Sequence, residues 1–182
     1  LLRVDAMELE VGYGLIRLVD ASQGGDLLDR ITMIRRQMAL DLGVVIPPIR
    51  IRDNMQLEPT HYGVKVYGET VARGEAKPDE YLAMDSGMAS GRLEGVATVE
   101  PAYGLPATWI TEANRERAEA LGYTVVDPAM VVATHLTEIL KNHSADLLTR
   151  DEVKNLLDNL KDSHPTIVDD VVPEVLKPAD VR

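Results

Sequence analysis

The sequence predicts an α+β fold, on three observations. Short alternating apolar runs, each broken by Gly or Pro, fill the chain to about residue 105. Helical periodicity with legible caps dominates after that point. The composition, 45% hydrophobic and 27% charged over 182 residues, is that of a folded, soluble protein rather than a disordered one. This length suits one domain or two or three small ones.

Taken in order, residues 7–11 and 13–19 read as β-rich. In the first run Met7, Leu9 and Val11 alternate with Glu8 and Glu10, which predicts one buried and one wet face. Gly12 and Gly14 permit a bend or a close approach of backbone. Gly24-Gly25 breaks the run, and Asp26 stands as the N-cap of a helix striped by Leu27, Ile31, Ile34, Met38 and Leu42. Arg30, Arg35 and Arg36 lie largely off that stripe and read as a solvated face; Gly43 ends the helix. Val44–Pro48 crosses stiffly into a strand at Ile49–Asp53. Runs at Tyr62–Tyr67, Thr70–Glu75 and Tyr81–Asp85 follow, as in a small antiparallel sheet. Residues 86–95, rich in Gly, Ser and small side chains, read as a mobile loop.

The stretch from Pro101 to Leu136 reads as apolar turn, helix, strand, helix. Thr111 offers a hydroxyl cap to the first helix, and Leu121-Gly122 stops it. Tyr123–Val126 is a short buried strand. Asp127-Pro128 opens the second helix, with a carboxylate cap before a proline whose missing N–H costs nothing at that position. This helix runs to about Asn142 and continues briefly from Ser144. Thr149–Glu152 then forms a capping box ahead of a stripe of Val153, Leu156, Leu157 and Leu160. Pro165 opens a last helical segment that Pro173 and Pro178 fray.

Several function classes are disfavoured. A formal net charge of −11 at pH 7 repels phosphate backbones and anionic lipid and favours basic partner segments. There is no Cys, and the His at 61, 135, 143 and 164 miss zinc-binding spacings, so neither metal nor cofactor is expected. No P-loop exists, and Gly12-Tyr-Gly14 lacks the third glycine and following helix of a dinucleotide fingerprint. No nucleophile motif is present. His135 reads as a hydrogen-bonded structural residue rather than a base, and capping explains Asp127 without a carboxylate pair to Glu100. No apolar run approaches the roughly 18 residues that span a bilayer. The chain starts without Met and reads as an excised piece.

What is left is an apolar surface. Pro101, Tyr103, Leu105 and Trp109 exceed what one short turn can hide. A tyrosine offers broad apolar area with a polar tip, as at binding hot spots, and Glu100 beside it could receive a Lys, Arg or amide from a partner. The competing reading makes Tyr103, and still more Trp109, core residues of a small domain.

Pro101-Ala-Tyr-Gly-Leu-Pro-Ala-Thr-Trp-Ile110, Gly122-Tyr-Thr-Val-Val-Asp-Pro128 and Val131-Val-Ala-Thr-His-Leu136 occur in that order. Upstream stand Gly12-Tyr-Gly-Leu15, Pro47-Pro-Ile-Arg-Ile-Arg-Asp-Asn54, Gly68 and Gly74-Glu75. Together they resemble the cytoplasmic part of the FHIPEP family of type III export-gate proteins, with the Ile-Arg-Asp-Asn wording closer to its flagellar branch. The resemblance implies a mixed α/β subdomain at 1–77 and 128–147. A small inserted β-rich α+β subdomain at 78–127 interrupts it, and a truncated helical subdomain begins the stretch 148–182. Periodicity alone draws the break near 105 and does not see the insertion.

The resemblance also implies a docking platform, not an enzyme, whose hydrophobic dimple between the first two subdomains receives flagellar export chaperones with bound substrates. Matched residue by residue, the dimple falls on Glu100, Tyr103 and Thr134, with Pro101 alongside. The family often has Asp and Phe where this chain has Glu100 and Tyr103. Other export-apparatus proteins and self-association into a ring are implied as partners, and neither nucleic acid nor a small-molecule substrate is. The expected location is the cytoplasmic face of the bacterial inner membrane, below a membrane-embedded part of the full-length protein. The two chain crossings at about 78 and 127 suggest a hinge. An alternative is a ring-forming segment with the dimple residues buried in subunit contacts. A small-molecule enzyme using Glu100 and His135 is a distant third.

Overall fold

A computed structural model describes residues 4–147 and arranges them as two four-stranded sheets joined through one helix. In the first sheet, strand β1 (Met7–Val11) runs parallel to β2 (Ile49–Asp53) and antiparallel to β3 (His61–Val66), which pairs with β4 (Glu69–Glu75). A parallel pair needs a long crossover. Here it contains a helical turn, α1 (Ile16–Val19) and α2 (Leu27–Leu42). The second sheet has the order β6-β7-β5-β8, built from β5 (Tyr81–Met84), β6 (Val96–Val99), β7 (Pro106–Ile110) and β8 (Thr124–Val126). Its neighbours are all antiparallel. The short helix α3 (Arg115–Ala120) packs Ala118 against Ala83 and Ile110 of this sheet.

Helix α4 (Pro128–Asn142) leaves β8 after one residue and is continued by α5 (Ser144–Leu147). It buries Val131, Val132, Leu136, Ile139 and Leu140 in a core shared with Met7, Leu9, Val64 and Tyr62 of the first sheet and Leu82 and Trp109 of the second. At about 25 cal/mol per Å² of apolar area removed from water, such a helix is held by tertiary burial far more than by its own propensity.

Several local expectations need correction. Residues 13–19 are helical, not extended. The Gly12 and Gly14 amides donate to the carbonyls of His61 (2.8 Å) and Pro59 (2.9 Å), which turns the chain away from any ladder. A Cβ on Gly12 would lie 2.1 Å from the Glu58 carbonyl oxygen, so the close approach expected there is real. The single antiparallel sheet is instead two sheets, the first of them mixed and the second including β5. Strand β6 follows the expected loop at a stretch given no reading, and β7 falls where an apolar turn was expected; Pro106 is tolerated because it is the first residue of its strand. The wet face of β1 carries ion pairs instead. Glu8 is buried and meets Arg52 at 3.2 Å, and Glu10 meets Lys65 at 3.3 Å.

The arginines of α2 divide. Arg36 is exposed as expected, whereas Arg35 donates to the Ile46 carbonyl at 2.9 Å and Arg30 is half-buried. Arg30 grips both oxygens of Asp127, at 3.1 and 2.9 Å, and also takes Asp26 at 3.0 Å. Asp26 therefore makes no side-chain cap bond to α2. Neither does Thr111, whose helix opens as a tight turn at Glu112–Asn114 before α3. Gly43 and Gly122 stop their helices in the left-handed conformation (φ 69° and 93°), and Asp127 caps α4 through the Met130 amide at 2.8 Å. At the other crossing, Asp79 pairs with Arg17 of α1. The capping box at Thr149–Glu152 and the later helical segments lie outside the described residues.

Asp127 thus serves the α4 cap and the tie to α2 at once. Asp127→Ala is expected to lower folding stability by about 2 kcal/mol, roughly half from each loss. Asp127→Asn, which keeps the cap oxygen, is expected to lose only about half of that in denaturant titration.

Candidate functional site

The hairpin joining β6 to β7 is built around one buried acid. Glu100 donates its amide to Leu105 (2.8 Å), and its carbonyl accepts from Gly104 (2.9 Å). Its carboxylate accepts from the amides of Ala102 (3.0 Å) and Tyr103 (2.7 Å). Gly104 takes φ 76°, a conformation a Cβ opposes. Burying a carboxylate is costly unless it is hydrogen-bonded. Here two backbone amides meet that need and fix the tip. The residue is 2% exposed, while Tyr103, three residues on, is 59% exposed.

Tyr103 reaches toward α4, where its hydroxyl donates to Glu138 Oε2 at 3.2 Å. Partial burial, then the Glu138 carboxylate, push the Tyr103 phenol above its ordinary pKa, so it is the donor. Beneath the ring lies a groove of about 220 Å³ between the second sheet and α4. Met84, Leu105 and Val126 line it from one side and Met130, Val131 and Thr134 of α4 from the other, with Glu100 and Tyr103 also in the lining.

Glu100, Tyr103 and Thr134 line one groove. Pro101 is half-buried in the hairpin and does not line it. Trp109 is a core residue; Tyr103 is not. One expectation fails here. Glu100 does not stand open to a partner's cation, because it is buried and both carboxylate oxygens are occupied by its own loop. The sequence reading also missed Glu138. It lies four residues after Thr134, so helical spacing places it on the same face one turn further on.

Next to Thr134, His135 turns the other way. Its Nδ1 meets the Tyr62 hydroxyl at 2.8 Å, with the rings edge-to-face at 5.8 Å between centroids. Tyr62 in turn lies over Gly74, where a Cβ would come within 2.4 Å of its hydroxyl oxygen. Burial, then the negative charge of Glu100, push the Tyr62 phenol well up. Burial holds the His135 imidazole down, with Glu100 opposing. We assign the Tyr62 proton to the bond and leave the imidazole proton on Nε2. Among the described residues, no group of three or more His, Asp or Glu is placed to hold a metal ion. No described helix is long and apolar enough to cross a membrane.

The fold is shared with solved structures that include the EscV cytosolic domain from the type III secretion system. The Chlamydia pneumoniae CdsV protein superposes with a TM-score of 0.72 at 22% identity, over 91% of this chain and 50% of that one. The nonameric EPEC SctV-C superposes with a TM-score of 0.56 at 14% identity, over 90% of this chain and 48% of that one. The FHIPEP family pattern matches residues 1–182, and the chain belongs to that family. It is 55% identical over 182 residues to the flagellar biosynthesis protein FlhA of Bacillus subtilis (strain 168), covering all of this chain and 27% of that protein. The chain thus spans about a quarter of the length of that relative.

His135 carries a pH prediction. Its folded-state pKa lies below the ordinary imidazole value, so protonation favours the unfolded chain. Its contribution is intact above the unfolded pKa and is lost as pH falls through the folded value. Between about pH 7 and pH 5, the wild type is expected to lose more stability than His135→Gln in denaturant titrations. Equal slopes would contradict the assignment.

Proposed function

We propose that the chain is part of the cytoplasmic docking platform of a flagellar type III protein export gate, and that its groove receives export chaperones with bound substrates. The observation that carries this reading is the exposed Tyr103 ring, held at the mouth of an apolar groove by a buried carboxylate. With the backbone under the ring fixed in advance, less ordering is left to the moment of binding, which favours it. Likeness to a flagellar FlhA supports the flagellar setting at the cytoplasmic face of the inner membrane.

In this reading, residues 1–77 with 128–147 form one subdomain, 78–127 a second inserted in it, and 148–182 the start of a third. The crossings at Asp79 and Asp127 are each tied to an arginine of the first, and breaking those ties would let the groove open. The nonameric state of EPEC SctV-C supports ring assembly of the full-length protein, with other export-apparatus proteins as further partners. The action is binding rather than catalysis. Of the side chains suited to acid–base work, Glu100 and Asp127 serve backbone amides and His135 is bonded to Tyr62.

Titrating the chain with a Bacillus subtilis flagellar export chaperone loaded with its substrate tests the proposal. Tyr103→Ala is expected to raise Kd about thirtyfold, equivalent to about 2 kcal/mol, with the thermal transition unchanged. Unaltered binding by this variant would overturn the proposal, as would loss of the folded state.

A further inference from the structure

Resting on the docking reading above, we infer that Glu138 is the residue that recognises a basic side chain of the docked partner, with the Tyr103 hydroxyl occupying it until the partner arrives. The partner element that fits is a helix carrying an apolar side chain and, one turn away on the same face, an Arg or Lys.

Two carboxylates beside the groove are committed. Glu100 is buried, and its oxygens accept from Ala102 and Tyr103. Asp127 caps α4 and is gripped on both oxygens by Arg30. Glu138 is different. Its side chain is 22% exposed, and among the described residues it holds the phenol of Tyr103 at 3.2 Å and the half-exposed Lys141 ammonium at 3.6 Å. An ionised carboxylate has about four acceptor positions. A neutral phenol and a solvated lysine three residues away satisfy it weakly, so a guanidinium binding in a fork would gain a charge-assisted pair there.

The spacing sets the occupant. Thr134 lines the groove and Glu138 lies four residues on, about 6 Å along the helix axis at 1.5 Å per residue. One turn of a partner helix covers about the same distance, so an apolar residue seated in the groove places a residue three or four positions away beside Glu138. Among the described residues, no basic residue lines the groove. The net charge of −11 favours a partner surface that is basic around its apolar contact. The phenol also has a definite role. It holds the ring across the mouth in the free protein and leaves the carboxylate when a stronger donor arrives, while the ring stays as the apolar contact.

The test uses the same chaperone–substrate complex, titrated at low and high salt into wild type, Tyr103→Phe, Tyr103→Ala, Glu138→Gln and Glu138→Lys. Glu138→Gln is expected to weaken binding about tenfold at low salt and to flatten the salt dependence. Tyr103→Phe, which keeps the ring and frees the carboxylate, is expected to bind as tightly as wild type or more tightly. Glu138→Lys should bind more weakly than Glu138→Gln. If Glu138→Gln binds like wild type while Tyr103→Ala does not, this inference falls and docking stands. If wild type does not bind the complex, docking falls and the role of Glu138 with it.

Discussion

The carboxylate of Asp127 is where the two sheets are held to one another. One residue separates the end of β8 from the start of α4, so the corner has no slack. At that residue, Asp127 caps the helix through Met130 and is gripped from the side by Arg30 of α2. The direction in which α4 leaves the second sheet is therefore set by hydrogen bonds at the corner as well as by packing further on. With the direction set, Val131, Val132 and Leu136 go into the common core, and Met130 and Thr134 face the groove. The groove is a product of this corner.

Its other end depends on a second carboxylate used in a similar way. Left to hydrophobicity alone, the tip residue Tyr103 would fold down into the apolar walls beside it. Glu100 prevents this by drawing the amides of Ala102 and Tyr103 inward, which leaves the side chain of Tyr103 outside. The same negative charge reaches the buried Tyr62 and His135: it adds to the burial that pushes the phenol up, and partly opposes the burial that holds the imidazole down. One residue thus shapes the rim of the groove and influences the polar pair in the core behind it.

The legible parts of this chain in sequence are those governed by local rules. The stripe of α2 as far as Met38 (Leu42, its expected last member, is exposed), the glycine stops at 43 and 122, and the Asp127-Pro128 start follow from contacts within a turn or two. The second sheet was not legible from pattern. Leu82 pairs with Val126, and Val96 with Trp109, and such long-range registers leave little trace in short apolar runs. Residues 13–19 misled because their apolar content suits a strand, while the backbone is captured by His61 at Gly12, just before them, and by Pro59 at Gly14. Arg30 was mistaken for a surface residue because its partner lies 97 positions away. At the site, the residue types were legible through resemblance. Which of them faces out was not, since that depends on where the Glu100 oxygens point.

Amide hydrogen exchange, followed residue by residue in NMR spectra, tests most directly whether the groove is held ready by these carboxylates. The Tyr103 and Met130 amides lie at a hairpin tip and in the first turn of a helix, where protection is ordinarily slight. They are expected to exchange at least about a hundredfold more slowly than in an unstructured peptide, with Tyr103 losing its protection in Glu100→Ala. Exchange of both amides at the unprotected rate in the wild type would contradict a preformed groove.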